Sequence, residues 1–119
     1  MARRLHFFHF FRKSPRYSVN LEVECYERER GLRFPGTALN ISTDGLMANI
    51  ATLDRLYENM IIKIIFPQES GAHLMELPVE HLWMHEYEGQ FCHGFRFHTF
   101  DGNQQQLIFK FLVEYKKGY

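Results

Sequence analysis

The sequence predicts a mainly β domain of six antiparallel strands closed into a small β-barrel, with one α-helix at the C-terminal end. Three observations carry that expectation. Polar and apolar residues alternate in short runs separated by Gly-containing turns from about residue 17 to residue 97. Twelve Phe and six Tyr in 119 residues suit a compact pleated core. After residue 101 the apolar spacing changes from a period of two to that of a helix.

Each element can be justified in order. Ser14-Pro15 disfavours helix and removes a backbone donor, so residues 1–16 form an arm ahead of the domain at 17–117. Val19, Leu21, Val23 and Cys25 then alternate with Ser18, Asn20, Glu22 and Glu24, as in a half-buried strand. Arg30-Gly31 turns the chain into a second strand over 32–41, and Thr43-Asp44-Gly45 turns it into a third over 46–50. Residues 52–59 suit a turn or a short helix. An Ile-rich fourth strand over 60–66 and a loop over 67–71 follow. The long fifth run, 73–85, alternates imperfectly, which places a bulge or bend near Pro78. Glu88-Gly89 marks a hairpin, and Phe91, His93, Phe95 and Phe97 share one face of the sixth strand. Leu107, Ile108, Phe111, Leu112 and Tyr115 make one helical stripe. Asp101 with Gln104 reads as its N-cap pair, and Lys116, Lys117 and Gly118 suit its end. Closing the sheet removes its edges, and the helix covers one opening.

Composition narrows the function. Formal net charge is zero, so no global field recruits DNA, and no DNA partner is expected. The charge is uneven, however: Arg3, Arg4, Arg12, Lys13 and Arg16 stand in the arm with no acid, which points to a local anionic partner. Cys25 and Cys92 lack metal-ligand spacing and read as reduced thiols. The apolar run after Arg4 is broken by His6 and His9 and has no cleavage site, and no stretch approaches a membrane span, so the expected location is cytoplasmic. His81 and His85, four apart on a strand, stand roughly 13 Å apart, too far to share one zinc. No phosphodiesterase signature and no Walker loop occurs, so no enzyme activity and no cofactor are expected.

Two motifs remain. Arg12-Lys13-Ser14-Pro15-Arg16 brings two guanidinium forks; Asn40-Ile41-Ser42-Thr43-Asp44-Gly45 follows after 23 intervening residues. A guanidinium matches the O6/N7 edge of guanine and also a phosphodiester. Asn40 offers donors and an acceptor, Ser42 a hydroxyl, and Gly45 a close backbone approach. Taken alone, the first motif reads more readily as a solvated basic arm and the second as a self-bonded turn.

Together, Arg-x-x-x-Arg and Asn-x-Ser-x-x-Gly resemble the PilZ domain family of bacterial cyclic di-GMP receptors. The resemblance extends over roughly residues 10–116, with Gly94-Phe95-Arg96-Phe97 at the last strand and the terminal helix. It implies a PilZ-like six-stranded barrel and a stand-alone receptor or adaptor in second-messenger signal transduction, with cyclic di-GMP as ligand. Arg12 and Arg16 match the arginines that grip the dinucleotide. Asn40, Ser42 and Gly45 match the second motif; Asn in place of Asp removes one negative charge. Trp83, before the last hairpin, either stacks on a base or belongs to the core. Phe11, preceding the arginine motif, leans toward one bound dinucleotide, while Arg3, Arg4 and Lys13 keep a stacked pair open. The arm's Phe7, Phe8, Phe10 and Phe11 are either a core cover or a docking surface for an effector protein whose identity the sequence does not give. Two other functions stay open: a protein-interaction module independent of nucleotide, and a binder of single-stranded nucleic acid, for which the aromatic-basic arm is suited.

Overall fold

Burial follows the alternation. Leu21, Val23 and Cys25 are buried along the first strand, while Asn20, Glu22 and Glu24 face outward. The computed structural model describes residues 16–98 and 102–116. Within them lie six strands and a helix: β1 (Tyr17–Glu27), β2 (Leu32–Ile41), β3 (Gly45–Asn49), β4 (Met60–Gln68), β5 (Gly71–Tyr87), β6 (Gln90–Phe97) and α1 (Gly102–Lys116). Every paired neighbour is antiparallel, in the order β1-β2-β3-β6-β5-β4. β4 returns to β1, with Val23 opposite Ile64 and Glu27 opposite Met60, so the sheet closes on itself. The inward residues form one core that includes Leu46, Ile62, Ile64, Phe66, Phe95 and Phe97.

The turns are set by backbone chemistry. Glu88 and Gly89 both have positive φ, 51° and 77°, the two-residue hairpin geometry that matches strand twist. Glu27 is fully buried, yet its carboxylate accepts the N–H groups of Glu29 (2.9 Å) and Arg30 (2.7 Å), holding the turn into β2. α1 packs Ile108, Phe111 and Leu112 into the end of the closed sheet where β1 begins. Phe111 stacks on Phe66 (5.3 Å between centroids) and on His73 (4.1 Å). The Asn20 N–H donates to the Tyr115 hydroxyl at 3.0 Å.

Several expectations need correction. The chain stays extended through Pro67, which pairs with Ala72, so only Glu69 and Ser70 connect β4 to β5. Of the two forms expected for 52–59, the segment takes turns and bends and contains no helix. Leu107 is 42% exposed and lies outside the buried helical stripe. No bulge occurs at Pro78, which stays in register with Ile61. Its carbonyl accepts the His98 N–H (2.9 Å) just past the end of β6, so the missing proline N–H costs one bond of the last pair and interrupts no continuing ladder. The irregularity lies instead between His81 and Trp83, where Leu82 is the extra residue. The proposed N-cap residue Asp101, together with Lys117 and Gly118, lies outside the described residues.

Two histidines that the sequence offered only as strand residues meet inside. His81 and His93 are buried, and His81 Nε2 lies 2.8 Å from His93 Nδ1. His81 Nδ1 accepts the Tyr57 N–H at 3.3 Å, which leaves its Nε2–H to donate to His93. Both rings are therefore neutral. Burial, then the neighbouring His93, lowers His81 from 6.5 to about 3. Burial also lowers His93, partly offset by the backbone of Leu53 and Ile50. Cys25 is inert for a related reason: burial, then Glu24, raises its thiol to about 12.

The histidine pair makes stability depend on pH with a definite sign. Below an ordinary histidine value of 6.5 the unfolded chain takes up protons that the native pair refuses. Unfolding free energy is full above that pH and falls as pH drops toward 3, by up to about 1.4 kcal/mol per pH unit for one such group. Urea melts at pH 7.5 and 5 should show a lower midpoint at the acid value. His81→Leu should flatten that dependence, and a wild-type midpoint unchanged across the interval would contradict the neutral pair.

Candidate functional site

The second motif builds a rigid corner between β2 and β3. Ser42 is fully buried. Its hydroxyl oxygen accepts the Asp44 N–H (3.0 Å) and the Gly45 N–H (3.2 Å), and its own proton faces the Gly45 carbonyl at 3.4 Å. The Ser42 N–H donates to that same carbonyl at 2.8 Å, closing the corner. The Asp44 carbonyl accepts the Phe97 N–H at 2.8 Å and ties the corner to β6.

Gly45 is required for space. A Cβ there would lie 2.1 Å from the Phe95 carbonyl oxygen and 3.2 Å from the Arg96 Cα. Ser42 and Gly45 thus spend their chemistry on the turn. Asn40 is the motif residue with polar atoms toward the outer surface; it is half-buried, with Nδ2 3.8 Å from Met47 Sδ.

Pairing registers align an outer-face row across four strands. Asn40 on β2 is opposite Met47 on β3, Met47 is opposite Gly94 on β6, and Gly94 is opposite Trp83 on β5. Trp83 reaches this row because of the extra residue at Leu82. His81 pairs with the inward Phe95, so simple alternation would send residue 83 inward as well. The bulge shifts the pleat by one and turns Trp83 out. There it lies over Gly94, where a Cβ would approach Trp83 Nε1 to 2.0 Å. The sequence left Trp83 open between core and surface; its half-buried indole belongs to the outer face. The same bulge puts His81 inside and leaves His85 exposed, which separates the pair considered for zinc by face as well as by length.

Arg16 joins this end of the molecule. It immediately precedes Tyr17, which is opposite Ile41, so its exposed side chain starts beside the Ser42 corner. Arg12 and Lys13, together with Phe7, Phe8, Phe10 and Phe11, lie outside the described residues. Arg16, Asn40, the Ser42–Gly45 corner and Trp83 are therefore distributed along one end and one outer face. Glu80 and Arg96, paired by charge on the same face, were not singled out as a site from sequence. The offset set by the 88–89 hairpin alone would put Glu80 opposite Phe97, and only the extra residue at Leu82 brings it opposite Arg96, so the sequence carried no local signal for the pair. An open recess at the β4–β5 connection is lined by Gln68, Glu69, Ser70 and Glu114, whose carboxylates suit a cation better than a phosphodiester. Among the described residues, no group of three or more His, Cys, Asp or Glu could share a metal ion, and no helix is long and apolar enough to cross a membrane.

Comparison with known proteins supplies the family. No curated protein matches the sequence. Among solved structures, the chain is similar to the inhibitor of motility MotI/DgrA of Bacillus subtilis, with TM-score 0.70 and 14% identity, covering 87% of this chain and 50% of that one. It thus spans about half the length of that protein. It is also similar to the PilZ domain with c-di-GMP of YcgR from Escherichia coli, with TM-score 0.66, 15% identity, and 88% and 94% of the two chains covered. The PilZ domain of CeSA from a cellulose synthesizing bacterium aligns with TM-score 0.63 at 14% identity, over 87% and 99% of the two chains. Such identities speak for the fold alone. The family model described as "PilZ domain" matches residues 10–114, a span that takes in both motifs, all six strands and most of the helix, and on that match the chain belongs to the PilZ domain family.

Proposed function

We propose that this protein is a receptor for cyclic di-GMP, bound on the outer face beside the Ser42 corner. The observation that carries the reading is the convergence of Arg16 with the Asn40 row: residues far apart in sequence meet at one end of the closed sheet. The solved PilZ domain with c-di-GMP supports the choice of ligand.

Asn40 meets a guanine edge with its amide, Trp83 stacks on a base, and Ser42 and Gly45 hold the corner. Arg12 and Arg16 supply donor forks to guanine and phosphate, with Lys13 adding charge. Binding draws the arm, residues 1–16, over the barrel mouth. The new position of its Phe residues changes the surface offered to an effector protein. The ligand biases that change only through its different affinity for the two arm positions. The domain does no chemistry on the dinucleotide and works in the cytoplasm.

Calorimetry with cyclic di-GMP tests the reading. The wild type should bind, and Arg16→Ala should lose about 1–3 kcal/mol, tenfold or more in affinity. No heat and no competition with the wild type, or an unchanged affinity in the variant, would overturn it.

The division of roles within the second motif makes a separate prediction. Asn40→Ala should weaken binding with little change in melting temperature. Ser42→Ala should cost about 1–3 kcal/mol of folding stability, because the buried Gly45 N–H and the half-buried Asp44 N–H lose their acceptor. Equal effects of both variants on stability would contradict the division.

The only tryptophan reports on its own role. Its fluorescence should change on titration with cyclic di-GMP. Gly94→Ala should displace the indole and diminish both that change and the affinity; an unaltered signal would remove Trp83 from the site.

A further inference from the structure

Arg96 occupies a place on the outer face that the two motifs do not account for. On β6 it is opposite Gly45 on one side and Glu80 on the other. Its Cα is one of the atoms that would crowd a Cβ on Gly45. The Phe97 N–H, one residue on, is bonded to the Asp44 carbonyl, so the backbone at 96 is clamped to the corner. Two residues back stands Gly94, beneath Trp83. Arg96 therefore lies between the corner and the indole, about 7 Å along the strand from the Asn40–Met47–Gly94–Trp83 row. Its side chain is 44% exposed and is ion-paired with Glu80, 42% exposed.

We infer that Arg96 is a third guanidinium of the dinucleotide site, held in reserve by Glu80 and transferred to the anionic ligand on binding. The inference rests on the reading above that cyclic di-GMP binds this face. The chemistry is an exchange of acceptors. With no ligand, one nitrogen of the fork, Nη2, is held by the Glu80 carboxylate. A phosphodiester or a guanine O6/N7 edge presents an equivalent acceptor pair. Glu80 then acts as an internal competitor that lowers affinity and penalises anions too weak to displace it.

A double-mutant cycle read by calorimetry with cyclic di-GMP, on the full chain, tests this. Arg96→Ala should weaken binding about tenfold. Glu80→Gln, nearly isosteric and on the surface, should tighten it about two- to fivefold. In the Arg96→Ala background Glu80→Gln should have no effect. Wild type that binds while Arg96→Ala binds equally well overturns this inference and leaves the function standing. So does a Glu80→Gln affinity that is unchanged or weaker, which would make the pair a cross-strand brace only. Wild type that does not bind at all overturns the function itself, and the inference with it.

Discussion

The bond of 2.8 Å between His81 and His93 is the contact on which the outer face depends. It joins β5 to β6 from the inside at the point where their registers slip. One residue beyond each partner in the slipped register lie the extra Leu82 and, on the outside, the bare Gly94 beneath Trp83. The inner pair and the outer indole are two faces of one bulge. His81 also stacks on Phe95 (4.7 Å between centroids), whose carbonyl presses on Gly45. A single packed path thus runs from the imidazoles to the corner at Ser42. Keeping both rings neutral is the condition for this arrangement, since a proton added to either would leave a charge in the core opposite a donor that no longer has an acceptor.

This explains how a small closed sheet brings distant sequence segments together on its outer face. In an antiparallel ring each residue has two fixed cross-strand neighbours, so one register specifies a whole belt around the molecule. Asn40, Met47, Gly94 and Trp83 belong to one belt, and Gly45, Arg96 and Glu80 to the next. Residues from four strands become neighbours through register, bulges included. Local irregularities then decide which side chains the belt shows. Slips between Ala38 and Asn40, between Ser18 and Leu21, and between His81 and Trp83 lie in β2, β1 and β5, the strands that carry or adjoin the outward polar and aromatic groups.

Much of the fold was legible in the amino-acid order because period and turn chemistry are local. The run over Val19–Cys25, the Glu88-Gly89 hairpin and the Ile108–Leu112 stripe each declare themselves within a few residues. The motif at 40–45 was legible as a turn between two strands, but not its internal division: that Ser42 serves the turn follows from burial, which a short motif does not reveal. Pro78 misled for a specific reason. A proline in a strand signals disruption only if its missing N–H faces a continuing partner, and here β6 is ending on that side. The true slip at Leu82 has no local mark, because an extra leucine in an apolar run looks like more strand. The histidine pair was hidden for the same reason: positions 81 and 93 become neighbours only after the bulge is counted.

Two missing side chains shape the surface as much as any present one. Gly45 and Gly94 stand on adjacent strands in adjacent belts, and each lacks a Cβ because a neighbour occupies that space: the Phe95 carbonyl at one, the Trp83 indole at the other. The two causes have opposite consequences. At Gly45 the crowding comes from backbone, so the sheet itself is drawn tight and the outer surface there drops to the level of the main chain. At Gly94 the crowding comes from a side chain, so the aromatic ring lies down instead of standing up. The result is a low strip of backbone bordered by a flat ring on β5 and by the polar corner at β2–β3. A planar base needs a flat wall to stack on and hydrogen-bonding groups at its edge, and it is excluded wherever a Cβ projects between them. On the proposed reading, the two glycines would serve recognition by letting a carbonyl and a ring take the space of a Cβ, which keeps this part of the surface low.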